Sequence, residues 1–206
     1  MDVYSEIEEE LAHRGHSYRL VYAKRWMNNQ ARAYLVEARW FNQKFIPPTD
    51  EYIATASMSI GFKMLMVHTL VGMGDLVMED TFEWLSSNPR VLQSTASASR
   101  FINDIVGYKF EHERGHVASS IHCLVKQYGC TEHQAEDMLR KWIFDSWKDV
   151  NEACLMPLQA PMPVLERILN WLRSTSLFYD GIDNYTHSTT KLKDIVTAIL
   201  IDPLPL

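Results

Sequence analysis

An all-α fold is expected for this 206-residue chain, and three observations predict it. Apolar residues recur at three- and four-residue spacing along nearly the whole length, with no convincing strand, internal repeat or interdomain linker. Capping and breaking residues fall at the ends of those periodic segments. With 47% hydrophobic and 22% charged residues, residues 1–206 can bury a substantial core within one domain, or one large part of one.

Each helix has its own signal. Val3, Ile7 and Leu11 form a seam that Gly15 ends, which makes Glu8-Glu9-Glu10 a solvated face. Ser17 is expected to cap a long second helix whose core wall is Leu20, Trp26, Met27, Ala31, Tyr34, Leu35, Ala38 and Phe41, with Pro47-Pro48 ending it. Thr49-Asp50-Glu51 starts a third helix with an N-cap and two acids favoured by the helix dipole. Its middle, Ser57 to Phe62, is expected to break, because small polar residues and Gly61 weaken the ladder. A short helix spans Thr81 to Leu85, and Pro89 opens the helix that contains the central motif. Beyond Gly115, Val117, Ile121, Val125 and Tyr128 carry a helix to Gly129. Thr131-x-x-Gln134 is a capping box for the next, with Ala135, Met138, Trp142, Trp147 and Val150. Pro161 and Pro163 precede a helix with Leu165, Ile168, Leu169 and Leu172, the polar loop Asp183 to Ser188 follows, and the last helix ends at Pro203.

Charge and composition exclude several functions. A net charge of −6 without a dense basic run argues against nucleic acid as a partner. No stretch of about 18 uninterrupted apolar residues occurs, so no membrane partner is expected. Cys123, Cys130 and Cys154 are odd in number and lack Cys-x-x-Cys spacing, which predicts buried free thiols in a reducing, cytoplasmic compartment. Met1-Asp-Val-Tyr-Ser-Glu shows no targeting pattern.

The chemistry concentrates in Arg100 to Glu111. Asn103, Gly107 and Glu111 recur every four residues and line one helical stripe about 80° wide, with Asp104 on its edge. An Asn oxygen and a carboxylate there are hard ligands suited to Mg²⁺ shared with a substrate phosphate. The alternative is a partly buried polar stripe bonded to a neighbouring helix. A rival motif follows directly. His112-Glu113-Arg114-Gly115-His116 is a literal H-E-x-x-H with His122 six residues on, the pattern of a zinc hydrolase. Against zinc, Ser119 replaces the glycine of the three-histidine form, Gly115 weakens the required turn by about 1 kcal/mol, and no strand precedes it.

Longer segments, taken together, carry a resemblance. Asp2 to Leu11, Arg39-Trp-Phe41, Pro47-Pro-Thr49, Gly72-Met73, Phe82-Glu-Trp-Leu85, Trp147 to Glu152, Tyr185-Thr-His187 and Ile201-Asp-Pro203 resemble plant class I terpene synthases over essentially the whole chain. Asn103, Asp104, Gly107 and Glu111 look like the family's second metal motif, N/D-D-x-x-S/T/G-x-x-x-E. The resemblance implies the C-terminal portion of the class I terpenoid synthase helical fold and a Mg²⁺-dependent ionisation of a prenyl diphosphate, with Mn²⁺ as a substitute ion. By carry-over, Asn103, Gly107 and Glu111 form the metal motif, although Gly107 has no side-chain ligand. Arg100 and Asn103 would bind the substrate, and Ser59-Ile60-Gly61 resembles the cavity-lining helix break. Asp183 and Tyr185 resemble catalytic residues of a closing loop, with Phe178 where relatives carry tyrosine. Arg114 to Ser119 and Leu192 to Val196 look most like sesquiterpene synthases, which points to farnesyl diphosphate, with geranyl and geranylgeranyl diphosphate as alternatives.

The family's D-D-x-x-D helix is missing. The chain is therefore expected to be part of a metal-binding domain that needs an N-terminal part to work and is inactive alone. Cavity residues such as Phe62 and Phe178 would then be uncovered, which keeps open a noncatalytic helical fragment that binds a partner.

Overall fold

The computed structural model describes residues 3–114, 118–187 and 190–202, excepting the side chains of 109–114, 190 and 191. Ten α-helices occur among the described residues: α1 (Val3–His13), α2 (Tyr18–Gln43), α3 (Thr49–Ser59), α4 (Phe62–Val71), α5 (Glu79–Ser86), α6 (Arg90–Arg114), α7 (Ser120–Tyr128), α8 (Glu132–Ala153), α9 (Met162–Phe178) and α10 (Thr190–Leu200). One 3₁₀ turn, Gly74–Leu76, lies between α4 and α5, and these residues contain no strand. Helix α6 is the hub, packed by α3, α7, α8 and α9. Its first half is rich in small residues, and Ala96 and Ala98 are fully buried, so neighbouring helices approach closely.

Chain direction is set by local chemistry. Gly15 and Gly129 take positive φ after α1 and α7. Thr131 and Gln134 form the expected capping box, with the Gln134 N–H donating to Thr131 Oγ1 and the Thr131 N–H to Gln134 Oε1. Arg19 is buried and donates to the carbonyls of Val71, Gly74 and Val77 at 3.0, 2.7 and 2.8 Å, which pins the turn between α4 and α5 to α2.

Several expectations are corrected. Ser17 has helical dihedrals and no side-chain cap bond, and α2 ends at Lys44 with φ 50° rather than at Pro47-Pro48. Thr49 lies inside α3, and its N–H is capped by Gln127 Oε1 at 2.8 Å, reached from α7. The core wall of α2 is Leu20, Ala23, Trp26, Gln30, Ala33 and Trp40, whereas Met27, Tyr34, Leu35 and Phe41 are 40–56% exposed. The chain carries two apolar stripes on α2, and periodicity does not say which one faces inward. Phe62 is not uncovered: Gly61 turns it inward, and its ring centroid lies 5.1 Å from that of Trp171. Phe178 is partly buried.

Thr49–Val71 has the length and apolarity of a membrane-spanning helix. It is interrupted at Ile60-Gly61, and Tyr52, Ala56, Phe62, Val67 and Leu70 lie in the protein core, which accounts for its composition. All three cysteines are free, but only Cys123 is buried, with Cys130 and Cys154 partly exposed. Burial, aided by Asp104, pushes the Cys123 thiol up to about 12, so it is an inert packing group.

Candidate functional site

Asp104 organises the site without belonging to its open face. It is completely buried, and its Oδ2 accepts from Tyr52 Oη at 2.7 Å and from the Ser120 N–H at 2.8 Å. Ser120 opens α7, so the carboxylate also faces the positive end of a helix. Arg100 Nε lies 2.8 Å from Asp104 Oδ1 and 2.8 Å from Tyr52 Oη. Its N–H is directed at the tyrosine, so the Asp104 contact is Coulombic, and Oδ1 accepts no hydrogen bond. Burial works against the Arg100 charge, but Asp104, Tyr52 and Glu37 outweigh it and raise the guanidinium's pKa. Burial also raises Tyr52 well above an ordinary phenol; Arg100 opposes this and Asp104 adds to it, leaving a neutral donor. One carboxylate thus ties α3, α6 and α7 together.

This arrangement positions the stripe. Arg100 keeps 16% of its side chain exposed, and its two terminal nitrogens have no hydrogen bond among the described residues. Asn103 is half-buried, and its amide likewise has no hydrogen-bond partner among the described residues. Gly107 is buried on the same stripe. Glu111 follows on the same helix, although its side chain lies outside the described residues. Arg100 and Asn103 therefore present an unpaired cationic edge and an unpaired amide within one turn of helix, a combination that can hold an anion and a hard cation.

The predicted break is present. Ile60 ends α3, and Gly61, with φ 87°, is buried and begins α4 in a conformation that side-chain-bearing residues disfavour. Its carbonyls differ in their partners. Ser59 O accepts from Gln30 Nε2 at 2.6 Å, and Gly61 O from the Leu65 N–H at 2.9 Å, while Ile60 O has no hydrogen bond among the described residues. Ser59 Oγ donates to Glu37 Oε1 at 2.5 Å. Burial raises the Glu37 pKa, while Arg100 and Ser59 lower it and Asp104 raises it, so the break and the Arg100 cluster share one electrostatic environment.

Asp183 and Tyr185 lie elsewhere. Asp183 Oδ1 accepts from the N–H groups of Tyr185 and Thr186, each at 2.9 Å, and Oδ2 accepts from Thr186 Oγ1 at 2.6 Å. Tyr185 is 76% exposed, with its ring 6.2 Å from Phe178. Among the described residues no hydrogen bond or ion pair joins Asp183 or Tyr185 to Arg100 or Asn103. The loop's anchor was not foreseen: buried Asn184 donates through Nδ2 to the carbonyls of Phe178 and Ile182. Tyr52, Gln30 and Glu37 were also missed, because their partners lie 22 to 52 residues away.

The rival zinc motif falls mostly on side chains outside the described residues, His112, Glu113 and His116. His122 Nδ1 accepts from the Ser119 N–H at 3.1 Å and so caps α7. No metal-competent group of three His, Cys, Asp or Glu occurs among the described residues. A cavity of about 770 Å³ is lined by Ile102, Ile105, Val106 and Tyr108 of α6 with Glu136 and Arg140 of α8. Its α6 lining residues lie off the Asn103–Gly107 stripe.

The described architecture is that of the C-terminal portion of a class I terpenoid synthase. Isoprene synthase from grey poplar leaves (Populus x canescens), solved in complex with three Mg²⁺ ions and dimethylallyl-S-thiolodiphosphate, matches with a TM-score of 0.83 and 22% identity over 98% of this chain and 38% of its own. Residues 1–149 match the model of the terpene synthase family, metal binding domain, and the chain belongs to that family. It is 48% identical over all 206 residues to (-)-alpha-pinene synthase of Fragaria vesca, and 45% identical over 204 residues to (-)-germacrene D synthase of Vitis vinifera. It spans 37% of the length of each of these curated relatives.

Proposed function

We propose that this chain supplies the diphosphate- and metal-binding helix of a terpene synthase that ionises a prenyl diphosphate, farnesyl diphosphate in the first instance, and cyclises the resulting allyl cation. The observation that carries this reading is the pairing on α6 of an unpaired Asn103 amide with the free edge of Arg100, both on a helix locked by buried Asp104. Asn103 fits a divalent cation because its oxygen has no hydrogen-bond partner among the described residues, Glu111 is its second ligand by sequence, and Gly107 contributes none. Bound Mg²⁺, or Mn²⁺ in its place, would neutralise charge on the departing diphosphate. Arg100 would hold the diphosphate through its terminal nitrogens, since Tyr52 and Asp104 occupy Nε. The isoprene synthase complex supports a diphosphate with Mg²⁺ as the ligand pair. The helix break would face the cation, with Asp183 and Tyr185 on a loop that closes to exclude water. The free thiols support a reducing, cytoplasmic setting.

Asn103→Ala and Glu111→Gln in the full-length protein carrying this chain test the assignment. Each is expected to lower turnover of farnesyl diphosphate by about tenfold or more; wild-type turnover in both sinks it. The 206 residues alone are expected to give no cyclic product by gas chromatography, because they contain one ligand helix and no D-D-x-x-D segment to face it. A second reading, an interaction module without activity, is favoured by one observation, the exposed stripe Met27, Tyr34, Leu35 and Phe41. Dye binding and light scattering separate the two. A dye-silent, monodisperse monomer removes the second reading, and robust turnover by that monomer removes the need for an N-terminal part.

A further inference from the structure

The break between α3 and α4 is held from behind by two residues of α2 that the sequence pattern gives no reason to notice. Gln30 and Ser59 are both buried, and Gln30 Nε2 donates to Ser59 O at 2.6 Å. Two turns further along α2, Glu37 Oε1 accepts from Ser59 Oγ at 2.5 Å. Ser59 is thus bonded at both its carbonyl and its hydroxyl, which fixes the direction of each. Gly61 O is used by the Leu65 N–H. The remaining carbonyl of the break, Ile60 O, has no partner among the described residues. The amide oxygen of Gln30 is itself buried without a partner, an arrangement a purely structural cap would avoid by using an apolar side chain with a differently closed helix end.

We propose that Gln30 and Glu37 are positioning residues that select which carbonyl the break presents, Ile60 rather than Ser59, and thereby set the product composition of the enzyme. The inference rests on the prenyl diphosphate reading above. A carbocation in an apolar pocket is steered by the few fixed dipoles it meets, because little solvent screens them. The Gln30 N–H held against Ser59 O offsets part of that carbonyl's negative end, so Ile60 O, unpaired among the described residues, is the stronger acceptor at the break. Tying Ser59 Oγ to Glu37 fixes the orientation of the hydroxyl, so its lone pairs do not compete freely with Ile60 O for the cation. Glu37 also senses Arg100, so the residue that fixes the break is coupled to the site where the diphosphate would bind.

The test uses the full-length protein carrying this chain, with farnesyl diphosphate and Mg²⁺, and reads diphosphate release, product composition and thermal midpoint separately. Gln30→Met keeps the length of the side chain and removes its donor. It is expected to change the rate of diphosphate release by less than about threefold while shifting the ratio of the two main products by at least about threefold. Glu37→Leu is expected to shift products in the same way, whereas Glu37→Gln keeps an acceptor for Ser59 Oγ and is expected to restore the wild-type pattern. If Gln30→Met does not fold, the Leu and Gln variants at Glu37 still decide the question. Unchanged product ratios in Gln30→Met and Glu37→Leu, beside an active wild type, overturn the inference and leave the proposed function intact. So does a collapse of rate, product pattern and thermal midpoint together, which would assign α2 a structural role only. A wild type that releases no diphosphate from geranyl, farnesyl or geranylgeranyl diphosphate overturns the function itself, and the inference with it.

Discussion

Two carboxylates in this chain do the same chemistry on different scales. Asp104 accepts from a phenol and a backbone N–H, and Asp183 accepts from two backbone N–H groups and a hydroxyl. The partners of Asp104 lie 52 and 16 residues away, on α3 and α7, and the group is sealed from water. Those of Asp183 lie two and three residues away in a partly exposed loop. A long-range bond stabilises the relative placement of whole helices, whereas a local one organises only its own turn and leaves that turn free to move as a unit. The difference separates a fixed platform, carrying Arg100 and Asn103, from a loop whose Asp183 bonds stay within its own turn.

The platform should fail first. Asp104→Ala leaves the Arg100 charge without its counter-ion and the Tyr52 hydroxyl without its acceptor, and removing one partner of a buried pair costs about 3–5 kcal/mol. In a chain of this size that should lower the thermal midpoint by about 10 °C. A shift comparable to that of the loop variant below would erase the contrast.

Tyr52→Phe is the next largest, because it removes a hydrogen bond to a charged group, about 1.5–3 kcal/mol. It also has a pH signature. The Tyr52 pKa is raised in the folded state, so above about pH 10, where an unfolded phenol ionises, the native state binds more protons than the unfolded one. Stability contributed by the neutral Tyr52 is therefore present below that pH and is lost as pH rises toward the folded value. The wild-type advantage over Tyr52→Phe should shrink from pH 10 upward. An advantage constant across that range would show that the hydroxyl is not held neutral by burial and Asp104.

These two predictions concern contacts the sequence did not disclose, although it disclosed their setting. The stripe of Asn103, Gly107 and Glu111 was legible because helical spacing alone puts those residues on one face, and the break was legible because Gly61 has few other uses inside an apolar helix. The role of Asp104 was not, since it depends on Tyr52 and Ser120, whose positions follow only from tertiary packing. The same limit explains the misassigned wall of α2. Met27, Tyr34 and Phe41 repeat as well as Ala23, Trp26, Ala33 and Trp40 do, and only the packed neighbours α3, α4 and α5 decide which set is buried. Phe62 illustrates it again, since the glycine that breaks the helix also turns the ring inward.

Asn184→Ala tests the hinge between the two regimes. Its side chain bonds the carbonyls of Phe178 and Ile182 from a buried position, so its loss should cost about 1 kcal/mol. The loss should appear as faster hydrogen exchange from residue 179 onward, with the Ser120 amide unaffected. Faster exchange at Ser120 as well would mean that the loop braces the platform.

The smallest stability effect should come from Asp183→Ala. Its acceptor oxygens hold only groups of their own turn, so stability should fall by no more than about 1 kcal/mol, in the range of a lost cap. Hydrogen exchange gives the sharper reading. In the wild type, the Tyr185 and Thr186 amides, held among the described residues by Asp183, should exchange much faster than the Ser120 amide, which Asp104 seals inside the core. In the full-length protein, adding diphosphate with Mg²⁺ should slow exchange at Tyr185 and Thr186 while leaving Ser120 unchanged, because in the proposed closing role only the loop changes state. Asp183→Ala should abolish that ligand-induced slowing with little loss of fold. If the Tyr185 amide is already as protected as that of Ser120 before ligand is added, the loop is as rigid as the platform. Asp183 would then be one more structural carboxylate, with no part in closing the pocket.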